Sequence, residues 1–364
     1  MPIVDRKKIR PDVLKIQDDY FNDAMKIIFQ FTALEENKGY NFQEIYKKTM
    51  NLNELFFKKE KGIVELHNSL TDEERDYWVR LLRYTGEKLI KQELEDFPIS
   101  SDIEIKSTML DNIPAEWVIP PNSIKDHVIL HIHGGGFIAG SASQCRRITS
   151  VIAKATNLKI LSIDYRLAPE YPFPVPLSDC VAAYNWLLAN GFKSENIIIA
   201  GDSAGGNLTL ATLLKLKDQG TDLPAGAFCL SPGSDWTLSD DSYFKNGATD
   251  PVCGDMAIFW WIAAYLGGED PHNPYASPLF GDLRGLPPIL IQASSCEMLY
   301  SDSSRFVEKA QKAGVNATLQ AWDDMPHVFQ QIRFELLPET EEAINKIAEF
   351  TNQIFEVLNV YELM

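Results

Sequence analysis

The chain has 364 residues, of which 45% are hydrophobic and 23% charged, and this balance excludes a disordered or fibrous protein. Fifty-one acidic against 34 basic side chains leave a formal charge of −17, a field that repels phosphates and anionic headgroups, so no nucleic-acid partner is expected. No apolar run reaches the roughly 18 residues of a membrane span, and Met1 to Lys8 lead into an amphipathic pattern rather than a signal peptide, so a cytoplasmic protein without a stable membrane anchor is expected.

From Pro11 to about Phe97 apolar residues recur at helical spacing, at Val13, Ile16 and Tyr20 and again at Trp78, Leu81, Leu82 and Leu89, which predicts an all-helical region. Thr71 with Glu74 forms a capping box for the segment through Trp78 to Leu94, and Asn37-Lys38-Gly39 marks a break. After Pro98 short β-rich runs alternate with helical patterns, the signature of an α/β sheet. The predicted strands are Ile103 to Leu110, Trp117 to Ile119, His127 to His133, Lys159 to Ile163, Asn196 to Ala200, Gly226 to Leu230, Pro288 to Ala293 and Ala317 to Trp322. Helices are expected over Arg146 to Thr156, Leu177 to Asn190, Gly206 to Gln219, Asp302 to Ala313 and Thr340 to Val357. Ser231 to Leu286 is too long for a plain connection, and Met256 to Leu266 inside it is an aromatic-rich helix candidate.

Ile197 to Ala200 runs into Gly201-Asp202-Ser203-Ala204-Gly205, a G-x-S-x-G turn between a strand and a helix. Small residues on both sides let so sharp a turn close, and the hydroxyl of Ser203 is lifted to a helix N-terminus, where negative charge is favoured. His133-Gly134-Gly135-Gly136-Phe137 follows another strand, and its glycines expose backbone N–H groups that can stabilise an oxyanion. Gly134, Gly136 and Ala139 also fit a dinucleotide fingerprint, with Asp164 ending the next strand. That reading needs a longer offset to the acid than the usual ~20 residues and leaves the serine turn unexplained.

A serine nucleophile needs a base, and of the six histidines His327 follows the last strand, where the order Ser, acid, His puts it. His133 is read as orienting the glycine loop and His131 as a core residue; the pair lacks a third ligand nearby, so no metal is expected. In the loop after Pro288 to Ala293, Glu297 is assigned as the acid, and Asp302 is taken as the N-cap of the following helix. Cys145, Cys180, Cys229, Cys253 and Cys296 carry no zinc spacing and read as reduced thiols.

His133 to Phe137, Asp164-Tyr-Arg-Leu-Ala-Pro-Glu170, Gly201 to Gly206, Tyr275-Ala-Ser-Pro-Leu279 and Leu286-Pro-Pro-Ile-Leu290 together resemble the hormone-sensitive-lipase-like carboxylesterases of the α/β-hydrolase fold. The resemblance covers about residues 100 to 355. It implies a mostly parallel central sheet flanked by helices, with a helical cap over residues 1–97, a catalytic domain over 98–364, and residues 231–286 contributing to the cap. It further implies an oxyanion hole of Gly135, Gly136 and Ala204, and ester hydrolysis by Ser203, Glu297 and His327 without a cofactor. Many members carry Asp-Pro-Leu where this chain has Glu297-Met298-Leu299.

Short- to medium-chain acyl esters are the expected substrates, with Phe137, Trp260 and Trp261 as pocket residues and Phe21, Phe29 and Trp260 facing the body or the acyl chain. A homodimer is compatible with the sequence. The alternatives are amidase or lactonase activity, or a silent binding member such as the plant gibberellin receptors, which lack the catalytic histidine that His327 supplies here.

Overall fold

A computed structural model describes residues 5–57, 68–253 and 258–362. The expected helical region holds α1 (Pro11–Thr32), α2 (Phe42–Phe57) and α3 (Asp72–Asp96), the last opened by the anticipated capping box: the Glu74 N–H donates to Thr71 Oγ1 and the Thr71 N–H to Glu74 Oε2. Beyond it come β1 (Glu104–Leu110), β2 (Ile113–Ile119), β3 (Val128–Ile132), α4 (Arg146–Thr156), β4 (Lys159–Ile163), α5 (Val175–Ala189) and β5 (Ile197–Asp202). α6 (Ala204–Asp218), β6 (Gly226–Leu230), α7 (Asp241–Lys245), α8 (Ile258–Leu266), β7 (Ile289–Ser294), α9 (Tyr300–Lys312), β8 (Ala317–Trp322) and α10 (Glu339–Glu362) complete the order. The start of the expected helix at Met256 lies outside the described residues.

The eight strands form one sheet in the order β1-β2-β4-β3-β5-β6-β7-β8. β1 and β2 are an antiparallel hairpin and β2 is antiparallel to β4; every other pairing is parallel. β2 starts four residues before the expected Trp117, because Pro114-Ala115-Glu116 interrupts the apolar pattern while its backbone still pairs on both sides.

The central strands are buried throughout, which is why they read as unbroken apolar runs. Side chains alternate between two cores. Ile129, Ile160 and Ile198 pack under α4 and α10, while Leu130, Leu161 and Ile199 pack under α5 and α6 on the other face. A parallel sheet brings the carboxyl ends of β3, β5, β6, β7 and β8 to one edge, and with them the glycine loop, Ser203, Glu297 and His327.

The N-terminal helices are packed on this body. Ile9 and Val13 join Met325, Phe329 and Leu337 in one apolar cluster beside His327, and Arg10 pairs with Glu339. Arg83 of α3 donates to the carbonyls of Ile138 and Ala168 and grips Glu170, so it buttresses the end of the glycine loop. Phe21 and Phe29 correct an expectation: both project outward and stay more than half exposed, facing neither the body nor a covered chain. Among the described residues no helix is long and apolar enough to cross a membrane.

Candidate active site

Ser203 sits between the end of β5 and the start of α6 at φ 52°, the left-handed side of the map that a non-glycine residue adopts only under constraint. The constraint is visible at Gly205, where an added Cβ would fall inside contact distance of the Ile132 and His133 carbonyls. The elbow is therefore clamped against β3, and the serine hydroxyl is raised at the sheet edge. Ala204 is the first residue of α6, so its N–H has no acceptor within the helix and is free for a ligand.

His327 Nε2 lies 2.9 Å from Ser203 Oγ, and its Nδ1 lies 2.6 Å from Glu297 Oε2. With Nδ1–H donating to the carboxylate, Nε2 is the acceptor for the serine hydroxyl. Burial opposes a charged imidazolium at His327, but the hydrogen bond and charge of Glu297, aided by Asp250 and Asp202, hold its pKa above the ordinary histidine value. Burial pushes the Glu297 carboxyl up, and His327 pulls it part of the way back.

The other expected residues have differing surroundings. His133 donates from Nδ1 to the Gly134 carbonyl at 2.7 Å and stacks on Tyr165, and burial lowers its pKa to about 4, which leaves a neutral ring supporting the glycine loop. Gly135 and Gly136 both have positive φ, at 108° and 62°. Trp261 packs directly against Gly136. Phe137 is buried instead, stacked on Tyr265 with ring centroids 3.6 Å apart, and Trp260 is buried in the main core. Of the three aromatic residues assigned to the pocket, Trp261 is the one that meets the glycine loop.

Asp302 corrects a sequence expectation. Helix α9 begins at Tyr300 with Leu299 as its cap, so Asp302 lies inside the first turn, fully buried. Its Oδ2 accepts from the N–H groups of Ser234 and Asp235, and Tyr243 donates its hydroxyl. It ties the insertion to the body and stands apart from His327. The dinucleotide alternative also loses its acid, since Asp164 Oδ1 accepts from the Ala142 N–H at 2.6 Å.

Two serines escaped the sequence reading. Ser231 Oγ accepts from Val328 N–H, and Ser294 Oγ donates to the Met325 carbonyl at 2.6 Å, so both brace the loop that carries His327. Neither has a local signal, since each acts on a partner far away in sequence. Donor atoms for a metal also gather where none was assigned: His131, Cys145 and Asp202 are buried with their ligand atoms within 4.8 Å of one another. Three ligands fall short of the four that a closed structural zinc site takes. All five cysteines are free thiols.

A family model described as the alpha/beta hydrolase fold matches residues 129–331, a span that contains Ser203, Glu297 and His327. An acetyl-hydrolase of Streptomyces hygroscopicus is 39% identical over 236 residues, 65% of this chain and 78% of its own length. An esterase of Acinetobacter venetianus is 37% identical over 259 residues, 71% of this chain and 85% of that protein. Among solved structures, an esterase from the bacterial hormone-sensitive lipase family has a TM-score of 0.71 at 38% identity, covering 85% of this chain and 98% of that one. EstE5, in a crystal soaked with p-nitrophenyl butyrate, has a TM-score of 0.72 at 40% identity, covering 76% and 92%. The chain belongs to the α/β-hydrolase fold family and, within it, to the hormone-sensitive-lipase-like carboxylesterases. Members of that class hydrolyse carboxylic esters.

Proposed function

We propose that this enzyme cleaves short- to medium-chain acyl esters through a covalent acyl-serine intermediate. The observation that carries the reading is the unbroken chain of hydrogen bonds from Glu297 through His327 to Ser203, at 2.6 and 2.9 Å. His327 takes the hydroxyl proton as Ser203 Oγ attacks the ester carbonyl carbon. Glu297 holds the imidazole in the required tautomer and stabilises the imidazolium that forms. Negative charge on the carbonyl oxygen falls on the N–H groups of Gly135, Gly136 and Ala204. The alcohol departs with the proton from His327. A water molecule then attacks the acyl-serine and gives a proton to His327; as the carbonyl–Oγ bond breaks and the carboxylic acid leaves, His327 returns that proton to Ser203 Oγ. No step requires a cofactor.

Trp261, against Gly136, is assigned to the wall of the acyl or alcohol pocket, and residues 1–97 with 231–286 to its cover. A small-molecule ester is the partner, and a cover closed over the serine would restrict the pocket to short or medium acyl groups. An organophosphonate that labels activated serines tests the nucleophile directly: peptide mass spectrometry should find one equivalent on Ser203. Labelling elsewhere, with Ser203 unmodified, would refute the assignment. A series of p-nitrophenyl esters from acetyl to dodecanoyl tests the chain-length reading, with kcat/KM expected to fall beyond the medium chains.

A further inference from the structure

The turn that carries Glu297 leaves β7 with polar backbone groups that no strand can pair. Side chains of the insertion take them up one after another. Asn246 Nδ2 donates to the carbonyls of Ser295 and Glu297, at 3.1 and 2.9 Å. Thr249 Oγ1 donates to the Cys296 carbonyl at 3.0 Å, and Asp250 Oδ2 accepts from the Met298 N–H at 2.9 Å. Ser242 Oγ donates to the Met298 carbonyl. Four consecutive residues, 295 to 298, are thus held by α7 and the segment that follows it.

Asp250 is the most committed of these groups. It is 1% exposed, and its other oxygen accepts from the N–H groups of Val252 and Cys253 at 2.9 and 2.8 Å. Three backbone N–H donors thus fix both oxygens of this side chain. Its charge acts on Glu297, His327 and the Cys253 thiol. The acidic groups that act on His327 are Glu297 after β7, in direct hydrogen bond with it, Asp250 from the insertion and Asp202 at the end of β5. Lys8 and Arg10 line the shallow cleft over Pro251 and Cys296, and Arg10 is engaged with Glu339 and Asp12.

We infer that Asn246 and Asp250 are positioning residues for the hydrolysis, holding the Glu297 turn in register with His327, Asp250 also adding negative charge beside the imidazole. This rests on the proposed roles of Ser203, His327 and Glu297. A carboxylate that drifts by an ångström no longer orients the ring, and displacements of that size cost up to ~100-fold in rate. The same insertion supplies Trp261 against Gly136 on the other side of residues 254–257, so one segment touches both the acid turn and the glycine loop.

The test compares Asp250→Asn, Asn246→Ala and Glu297→Gln in the full chain, with p-nitrophenyl acetate as substrate. Asp250→Asn keeps the size and one acceptor but removes the charge. It should lower kcat by about tenfold with little change in KM, and move the acidic limb of the pH profile to lower pH, because one fewer negative group holds the proton on His327. Asn246→Ala should lower kcat by a similar factor, leave the limb in place, and shift upfield the proton resonance of the His327 Nδ1–H donated to Glu297. Should Asp250→Asn fail to fold, the kcat and resonance of Asn246→Ala decide. Wild-type kcat and pH limb in both variants, with only a lower Tm, would overturn this inference while an impaired Glu297→Gln left the triad standing. A fully active Glu297→Gln would overturn both.

Discussion

Trp261 lies so close to Gly136 that a Cβ added to the glycine would come within 2.5 Å of the indole Cε3. Gly136 also has φ of 62°, so any side chain there meets both backbone strain and a ring. Gly136, the proposed oxyanion donor, and Trp261, the proposed pocket wall, therefore share one contact. Trp261→Ala should enlarge the space beside the reacting carbonyl and raise kcat/KM for hexanoyl relative to acetyl esters by about tenfold, the scale of a single methylene contact. Gly136→Ala should abolish turnover in a folded protein. A chain-length profile unchanged by Trp261→Ala would remove that residue from the pocket.

Glu297 and Asp302 lie five residues apart and do different work. Glu297→Gln should depress kcat by orders of magnitude, since the amide cannot hold the charged imidazole as the carboxylate does. Asp302→Asn should leave catalysis nearly intact, because its side-chain oxygen can still accept from Ser234 and Asp235. Asp302→Ala strands those two buried N–H groups, at about 1–3 kcal/mol each. Chemical denaturation and steady-state kinetics on the three variants separate the roles. Loss of activity in a stably folded Asp302→Asn would reverse them.

Burial raises the Asp302 carboxyl to about 7, a shift that the Ser234 and Asp235 N–H groups partly oppose, against about 3.9 in an unfolded chain. Between those values the folded state holds a proton that the unfolded chain has released. The contribution to stability is complete below about pH 4 and is lost as pH rises through 7. Asp302→Asn should flatten that part of the stability profile, measurable by urea titration at pH 4.5 and 7.5.

The strands, the serine elbow and the order Ser203, Glu297, His327 were legible because each leaves a local mark. An apolar run, two obligatory small residues and a position at a strand end are all written in neighbouring residues. Asp302 shows where this ends. Its partners Ser234 and Asp235 lie on the far side of the insertion, and nothing near it in sequence marks a buried acceptor. Trp260 and Trp261 were inseparable for a related reason: adjacent residues on one helix point about 100° apart, and only packing decides which ring is buried and which meets the glycine loop. Phe21 and Phe29 carried a helical apolar pattern, yet the buried stripe of α1 runs through Val13, Ile27 and Phe31.

Activity should rise with pH as His327 releases its proton, because only the neutral ring can accept from Ser203. Glu297, Asp250 and Asp202 together outweigh burial and raise this pKa, so the acidic limb of kcat/KM should have its midpoint above the ordinary value of about 6.5. A profile flat from pH 5 to 8 in a stably folded enzyme would contradict a histidine base.

The N-terminal segment packs on the loop of His327 through Ile9 and Val13, and on the glycine loop through Arg83. Deleting residues 1–40 should change the preference between short and long acyl esters in the monomeric product. Unchanged kinetic constants for both would mean that this segment covers no part of the pocket.

The most direct measurement is the kcat/KM of Ser203→Ala on p-nitrophenyl acetate, with the fold checked by circular dichroism and contaminating esterases removed. A loss of about a thousandfold or more is expected, because the variant lacks the hydroxyl on which the proposed acyl intermediate forms. More than a tenth of wild-type activity in the folded variant would contradict the role of Ser203 as nucleophile.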